Sequence, residues 1–229
     1  MENGDWPVRC NLVGMPRKNL IRSSTLPYHV TARANTREAF PSDLTEVWDI
    51  FSDSCLDATF VHGVEIHALV VMPNHFHLLI STPQSDLGVV MERFMASATK
   101  TMNRISGRSG RVFGGPYHWS LIDSTLYFAN ALKYVYRNPV RAGLCRDAEA
   151  YSFSTLSGLR GNGRLPFPLY FPFGLCGFLG IPDDPTGLVQ WLNRTWSAER
   201  EAVIREGLKR TTFCPPKTGW KRCVETLEL

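Results

Sequence analysis

The sequence predicts an α+β fold in which helices pack against an antiparallel, ferredoxin-like sheet, followed by a less regular C-terminal extension. Strand-like and helix-like segments follow one another in the order β-α-β-β-α-β-α, which is typical of that class. Two strand-like segments are separated only by residues 72–74, a connection short enough for an antiparallel hairpin. Residues 86–105 repeat apolar side chains at helical spacing, which gives a helix one face for packing on the sheet.

The first part of the chain predicts a strand, a helix and the hairpin. Residues 28–33 are rich in β-branched and aromatic side chains, which favours a strand. Ser42 is a candidate N-cap for the helix that follows. The apolar residues of this helix are Leu44, Val47, Trp48, Phe51 and Leu56. The hairpin strands are predicted at 64–71 and 75–80, on either side of a turn at Met72-Pro73-Asn74.

The next part of the chain predicts a helix, a strand and a second helix. The helix at 86–105 leads into a basic, glycine-rich loop at 106–111. A strand follows at 118–122. The last regular helix is predicted to run from about 124 to 138, where Pro139 should stop it.

These segments divide the chain into three parts. Residues 1–24 are a loose lead-in, residues 25–144 are the main domain, and residues 145–229 form the extension. Within the extension, residues 158–187 are dense in glycine and proline, and one short helix is predicted at about 187–208. A chain of 229 residues is long enough for such a domain with an appendage.

Composition and charge exclude several classes of protein. The formal net charge of +4 is too small to indicate nucleic acid by itself. The cysteines include no C-x-x-C pair, so neither a zinc ribbon nor a thioredoxin-type site is predicted. No secretory signal or apolar run of membrane-spanning length is visible, and we expect free thiols and a cytoplasmic location. The six cysteines are at positions 10, 55, 145, 176, 214 and 223.

Two short patterns contain the residues best suited to chemistry. His75 and His77 are two apart in a strand, so their imidazoles project from the same face and could form half of a metal site. Tyr134 and Asn138 are one helical turn apart, which places a phenol and an amide oxygen on one face. Tyr136 is two residues from Asn138 and points to roughly the opposite side. Each pattern alone is also typical of purely structural residues, so their combination is the informative observation.

Together, the segments at 72–79 and 134–144 resemble the single-tyrosine HUH transposases, specifically the branch associated with repetitive extragenic palindromes. The resemblance covers about residues 25–160 and includes the 28–31 segment and the block at 119–144. It implies that the main domain is an HUH catalytic domain that cleaves single-stranded DNA and transfers the cut strand.

The resemblance also implies a role for each residue of the two patterns. His75 and His77 would hold one magnesium or manganese ion, and Asn138 would be the third protein ligand. Tyr134 would attack the phosphodiester, forming a 5′-phosphotyrosine link and leaving a free 3′-hydroxyl. Because family members often have histidine at the position of Tyr136, the presence of a second tyrosine leaves Tyr136 as an alternative nucleophile.

The expected partner is single-stranded or hairpin DNA, without a membrane and with the protein as a monomer or homodimer. The extension at 145–229 would cover the sheet and contact the hairpin. The alternative function is a non-catalytic module that binds single-stranded nucleic acid on the same fold, which would need no metal. Basic side chains near the second helix and the nucleophile would contact phosphates and make binding sensitive to salt. These residues are Arg93, Lys100, Arg104, Arg137 and Arg141.

Overall fold

The sheet of this computed structural model has four strands, and each one pairs antiparallel to its neighbours. The structure describes residues 19–84, 86–161, 164–171, 181–182 and 184–213. Most of the lead-in, the end of the extension and four of the six cysteines lie outside these residues. The strands are β1 (Tyr28–Arg33), β2 (Glu65–Met72), β3 (His75–Ser81) and β4 (His118–Leu121).

The strand order is β2-β3-β1-β4, with β1 between β3 and β4. This is the order that a ferredoxin-like sheet requires, so the predicted fold class is confirmed.

No helix among the described residues is long and apolar enough to cross a membrane. The helices are α1 (Leu44–His62), α2 (Leu87–Ser106), α3 (Thr125–Tyr136), α4 (Asn138–Arg141), α5 (Leu156–Leu159), α6 (Pro185–Asn193) and α7 (Ala198–Gly207), with short 3-10 turns at Asn35–Arg37 and Ala148–Ala150.

The two faces of the sheet bury two different cores. Successive side chains in a strand point to opposite faces, so Phe76 and Leu78 alternate with His75 and His77 along β3. Phe76 and Leu78 belong to the core that α1 and α2 complete. The opposite face packs against α3 and the extension, through residues such as Leu79. Both histidines of β3 therefore lie on the α3 side of the sheet.

The first helix begins one residue later than the sequence predicts. Asp43, and not Ser42, is the N-cap of α1, because its carboxylate accepts hydrogen bonds from the backbone N–H groups of Thr45 and Glu46 at 2.8 and 3.0 Å. The helix ends at Gly63, whose left-handed conformation (φ 60°) is the one in which glycine most readily closes a helix.

The prediction that Pro139 stops the last helix of the main domain is also wrong in detail. α3 ends at Tyr136, and Pro139 lies in the first turn of α4, where proline is tolerated because no N–H is needed. Arg137 joins the two helices in a right-handed conformation (φ −88°, ψ −2°), and its N–H still donates to the Lys133 carbonyl at 3.0 Å. As a result Asn138 lies one turn beyond Tyr134, and its Nδ2 donates to the Tyr134 carbonyl at 2.9 Å.

The extension contains two short helices where the sequence predicts one at 187–208. Residues 194–197 separate α6 from α7, and Ser197 caps α7 by accepting a hydrogen bond from the N–H of Arg200 at 3.2 Å.

The described part of the extension also covers both edges of the sheet. On β2, Val71 N–H donates to the Phe153 carbonyl at 3.0 Å, and on β4, Leu121 N–H donates to the Thr211 carbonyl at 2.9 Å. Unpaired edge groups are thereby satisfied within the chain.

The extension also contacts α3 directly. Lys133 is only 3% exposed, and its ammonium lies 4.8 and 5.0 Å from the ring centres of Trp191 and Trp196. Burial, together with nearby arginines, lowers the pKa of Lys133 to about 7. Arg137 donates from Nη1 to the carbonyls of Leu192 and Asn193, at the C-terminal end of α6. Lys133 and Arg137 therefore face the extension.

Candidate active site

The candidate site lies where β3 begins, directly after the 72–74 turn. The ring centres of His75 and His77 are 5.0 Å apart and the rings are nearly perpendicular, at 81°. On the neighbouring strand β1, Arg33 is opposite His75 and Thr31 is opposite His77. Pairing in the sheet thus places both imidazoles on one face with an arginine beside them.

His75 is held in one tautomer by the residue that precedes it. Nδ1 of His75 lies 2.7 Å from Oδ1 of Asn74, and Nδ2 of Asn74 donates to the carbonyl of Arg37 at 2.9 Å. Because the Asn74 oxygen can only accept, the hydrogen bond requires the proton of His75 to be on Nδ1. Nε2 of a neutral His75 is then unprotonated and available to a metal ion.

His77 has a partner that the sequence analysis did not identify, His29 on β1. Nε2 of His29 lies 2.9 Å from Nδ1 of His77, and the rings stack with centres 5.1 Å apart and an interplanar angle of 18°. His29 is 2% exposed, and its Nδ1 has no hydrogen-bond partner in the part of the chain that the structure describes. If His77 donates from Nδ1, its Nε2 is free to bind metal and its ring orientation is fixed. The sequence carries only a weak signal for this contact. His29 is two residues from Thr31, which pairs with His77, so His29 lies on the same face of the sheet as His77.

All three imidazoles are held in the neutral form. Burial lowers the pKa of His75 to about 4, and the charges of Arg33 and Arg141 act in the same direction. Burial and the nearby His118 lower the pKa of His29 to about 3. The pKa of His77 is well below its ordinary value for the same reason, burial, with smaller effects from the neighbouring histidines and arginines. Neutral imidazole is the form that binds metal ions.

We expect acid to destabilise the metal-free protein through these histidines. Their folded pKa values lie below 6.5, so between pH 6.5 and 4 the unfolded chain binds more protons than the folded protein. The contribution of these histidines to the free energy of unfolding is therefore fully present above pH 6.5 and decreases as the pH falls. Urea unfolding with chelator at pH 7 and pH 5 should show a loss of roughly 2 kcal/mol per buried histidine. His29→Gln should reduce this difference in unfolding free energy between pH 7 and pH 5. Equal stability of the wild-type protein at both pH values would contradict the prediction.

Tyr134 packs against His77 and His29. Its ring centre is 5.8 Å from that of His77 and 6.2 Å from that of His29, with both rings perpendicular to it. The side chain is 7% exposed. Arg141 packs over the ring, with Cζ 4.5 Å from its centre, and donates from Nη2 to the phenol oxygen at 3.1 Å. Because arginine only donates, this bond stabilises negative charge as it develops on the oxygen.

Asn138 completes the cluster. Its Oδ1 accepts a hydrogen bond from Nη2 of Arg141 at 2.6 Å, and the residue is 2% exposed. A carbonyl oxygen has two lone pairs, so one is not used by the hydrogen bond from Arg141. Within the described residues, no three His, Cys, Asp or Glu side chains are arranged to bind a metal. The role of the Asn138 amide as a third metal ligand stays a prediction.

The other candidate side chains lie elsewhere. Tyr136 is 1% exposed, and its hydroxyl is 3.0 Å from Oγ1 of Thr155 on the opposite side of α3. Burial raises the pKa of that hydroxyl. His67, on β2, is hydrogen-bonded at both ring nitrogens, to the Tyr170 carbonyl at 2.6 Å and to Ser81 Oγ at 2.7 Å. Both Tyr136 and His67 have structural partners of their own.

The structure separates the five basic residues predicted to contact DNA. Arg141 is in the site, whereas the guanidinium of Arg137 points towards the extension. Arg93, Lys100 and Arg104 are on α2, which covers the other face of the sheet. Arg93 is also paired with Asp57 on α1, through two contacts of 2.6 and 3.0 Å. DNA contact by the three α2 residues stays a prediction.

Comparison with known proteins identifies a similar fold and a matching sequence family. The chain resembles a REP-associated tyrosine transposase solved with a REP hairpin, at 19% identity and a TM-score of 0.54, over 68% of this chain and 91% of that one. It also resembles a candidate transposase from Deinococcus radiodurans R1, at 24% identity and a TM-score of 0.37, over 48% and 88% of the respective chains. No protein of curated function matches it in sequence. Residues 22–137, half of the sequence, match the family described as IS200-like transposases, and the chain belongs to that family.

Proposed function

We propose that this protein cleaves and rejoins single-stranded DNA beside hairpin structures, through a 5′-phosphotyrosine link to Tyr134 and with one divalent metal ion. The observation that carries the proposal is the contact of Tyr134 with the neutral His77. His75 lies beside His77 on the same strand face, and its hydrogen bond to Asn74 leaves its Nε2 unprotonated and available to a metal ion. Family membership supports DNA as the substrate. The relative solved with a REP hairpin supports a preference for hairpin DNA.

The donor set fits a divalent metal. His75, His77 and Asn138 offer two nitrogens and one amide oxygen, a mixture that suits Mn²⁺ and, less well, Mg²⁺. When bound, the ion would polarise an oxygen of the scissile phosphate and offset charge in the transition state. Arg141 would either keep its hydrogen bond to the Asn138 oxygen while that oxygen binds the ion, or donate to the phosphate instead.

The chain's own residues then account for the chemical steps. The Tyr134 oxygen attacks the phosphorus, the bond from phosphorus to the 3′ oxygen breaks, the phenol proton is lost to solvent, and the departing oxygen takes up a proton. Arg141 is placed to stabilise the phenol oxygen as it becomes negative. A 3′-hydroxyl from a second cut end reverses these steps and releases Tyr134. No ATP is needed, because the phosphotyrosine link conserves the energy of the phosphodiester.

The direct test uses single-stranded hairpin oligonucleotides labelled at the 5′ or the 3′ end, with Mn²⁺ or with chelator, on a denaturing gel. We expect a metal-dependent, protein-linked band that carries the 3′ portion of the DNA. Protein linked to the 5′ portion, or cleavage without linked protein, would contradict the proposal. Hairpin binding without any adduct from a randomised hairpin library, even in the presence of Mn²⁺, would favour the non-catalytic binding module.

Removing the His29 ring should weaken metal binding more than DNA binding. In His29→Phe, Nδ1 of His77 loses its partner, so the ring loses its fixed tautomer and orientation. Loss of such a supporting hydrogen bond typically costs about 10–100-fold in metal affinity. Titration calorimetry with Mn²⁺ should show this loss, while hairpin binding in chelator stays within a few fold.

The matched variant is His29→Gln, whose amide oxygen can still accept from His77. It should bind Mn²⁺ more tightly than His29→Phe, even if both variants melt at the same reduced temperature. Equal Mn²⁺ affinity in wild type and His29→Phe would show that His29 only packs.

A further inference from the structure

Two buried polar atoms on neighbouring strands lack a hydrogen-bond partner. Nδ1 of His29, on β1, and Oγ of Ser120, on β4, form no hydrogen bond to any residue that the structure describes. His29 is 2% exposed and Ser120 is 0% exposed, so neither group is open to bulk water. A buried donor or acceptor that stays unpaired reduces stability, and such atoms are uncommon in folded proteins. Both atoms therefore require a partner.

The pairing of β1 with β4 brings these two residues together. His29 is directly opposite Ser120 in the antiparallel register. Trp119 and Leu121 belong to the core on the side of α1 and α2, so Ser120 between them projects to the side of α3, as His29 does. Side chains at such opposed positions have Cβ atoms about 4.5–5.5 Å apart. Rotation about the Cα–Cβ bond of Ser120, or one bridging water, is then enough to join the hydroxyl to the imidazole.

Metal binding at His77 decides which nitrogen of His29 carries the proton. His77 can bind a metal ion through Nε2 only if its own proton is on Nδ1, which then donates to Nε2 of His29, 2.9 Å away. A neutral His29 has one ring proton, and that proton must then be on Nδ1. The arrangement that binds metal therefore ends in a buried N–H group that needs an acceptor.

The same two imidazoles can also share their protons in the opposite arrangement. Nε2 of His29 then donates to Nδ1 of His77, and the proton of His77 is on Nε2, where it blocks the metal. In this arrangement Nδ1 of His29 is an unprotonated acceptor. Buried N–H groups are left unpaired less often than buried acceptors. Without a partner at Nδ1 of His29, the blocked arrangement is therefore favoured.

We propose that Ser120 is a positioning residue for the metal site, because its hydroxyl accepts the Nδ1–H of His29 and thereby holds His77 in the tautomer that binds metal. The inference rests on the proposed function. Ser120 contacts neither the metal nor DNA in this scheme, and it acts only through the two histidines. One hydrogen bond pairs both of the buried atoms that otherwise lack a partner.

The test is the tautomer of both histidines in the metal-free protein at pH 7, read from the ¹⁵N chemical shifts of the ring nitrogens. We expect the Nδ1–H form of His29 and of His77 in the wild-type protein. Ser120→Ala should shift the proton of His77 towards Nε2 and weaken Mn²⁺ binding about tenfold in titration calorimetry, as loss of a supporting hydrogen bond does. Ser120→Thr keeps the hydroxyl and should retain the wild-type tautomers and Mn²⁺ affinity.

Ser81→Ala is the matched control. Ser81 is also a buried serine of the sheet, and its Oγ lies 2.7 Å from Nε2 of His67, outside the site. Its replacement should lower the melting temperature and leave the His77 tautomer and the Mn²⁺ affinity unchanged.

The outcomes separate the role of Ser120 from the proposed function. An Nε2–H form of His77 in the wild-type protein, or unchanged tautomers and Mn²⁺ affinity in Ser120→Ala, would overturn the inference. The function would then still stand on the covalent adduct with Tyr134, which is measured independently. If the wild-type protein forms no adduct, the proposed function fails, and the tautomers still decide the role of Ser120 because their measurement needs neither metal nor DNA.

Discussion

Tyr134→Phe should form no covalent adduct with DNA under conditions in which the wild-type protein forms one readily. The substitution removes the proposed nucleophilic hydroxyl and keeps the ring that packs against His77 and His29. It also removes the hydrogen bond from Arg141, a loss of about 1 kcal/mol of stability at most. Adduct formation should therefore fall to background, while the melting temperature and the affinity for a hairpin change little.

The matched control for this experiment is Tyr136→Phe. The Tyr136 hydroxyl is buried against Thr155, so its loss should cost about 1 kcal/mol of stability and leave adduct formation intact. Mass spectrometry of the digested adduct should place the DNA on the peptide that contains Tyr134. A persistent adduct in Tyr134→Phe, or its loss in Tyr136→Phe alone, would assign the nucleophile to Tyr136.

Removing divalent metal, or one of the proposed metal ligands, should abolish cleavage without abolishing DNA binding. Chelator and His77→Ala should each slow adduct formation roughly a thousandfold, because stabilisation of transition-state charge by a metal is worth several kcal/mol. Hairpin affinity should stay within a few fold, since phosphate contacts do not depend on the two imidazoles. Single-turnover cleavage and filter binding, measured on the same samples, separate these two effects.

His67→Gln is the control for the histidine substitution. His67 is also a buried histidine in the sheet, but its ring nitrogens are bonded to Tyr170 and Ser81. Its replacement should lower the melting temperature and leave Mn²⁺ affinity and cleavage unchanged. Cleavage by His77→Ala at the wild-type rate, or cleavage in excess chelator, would remove the metal from the mechanism.

The regular elements of the main domain were predictable because they depend on local periodicity. β1 has the predicted bounds, and β2, β3 and α2 differ by one residue. The position of the N-cap of α1 was not predictable, because Ser42 and Asp43 are both good capping residues and only the backbone conformation decides between them. The break between α6 and α7 has a local signal that the sequence analysis did not use, because Ser197 is a good capping residue and caps α7.

The site was predictable only where its residues are close in sequence. The spacings of His75 with His77 and of Tyr134 with Asn138 fix a common strand face and a common helix face. The contact of His29 with His77 depends on the pairing of β1 with β3, over a separation of 48 residues. The sequence analysis assigned the cations of α2 and those near the nucleophile to one DNA-binding set, yet the sheet lies between the two groups.

The amide of Asn74 has a consequence for how the binding of metal and the binding of DNA affect each other. Because it is hydrogen-bonded to the Arg37 carbonyl at one end and to His75 at the other, a ligand that displaces either partner also disturbs the other. Thermodynamic reciprocity requires equal effects in both directions: if DNA bound at the site raises the affinity for Mn²⁺ by some factor, Mn²⁺ raises the affinity for that DNA by the same factor. Because hairpin affinity should change only a few fold when the metal is removed, DNA should strengthen Mn²⁺ binding only a few fold, so coupling through Asn74 is a small bias towards the bound substrate and not a switch.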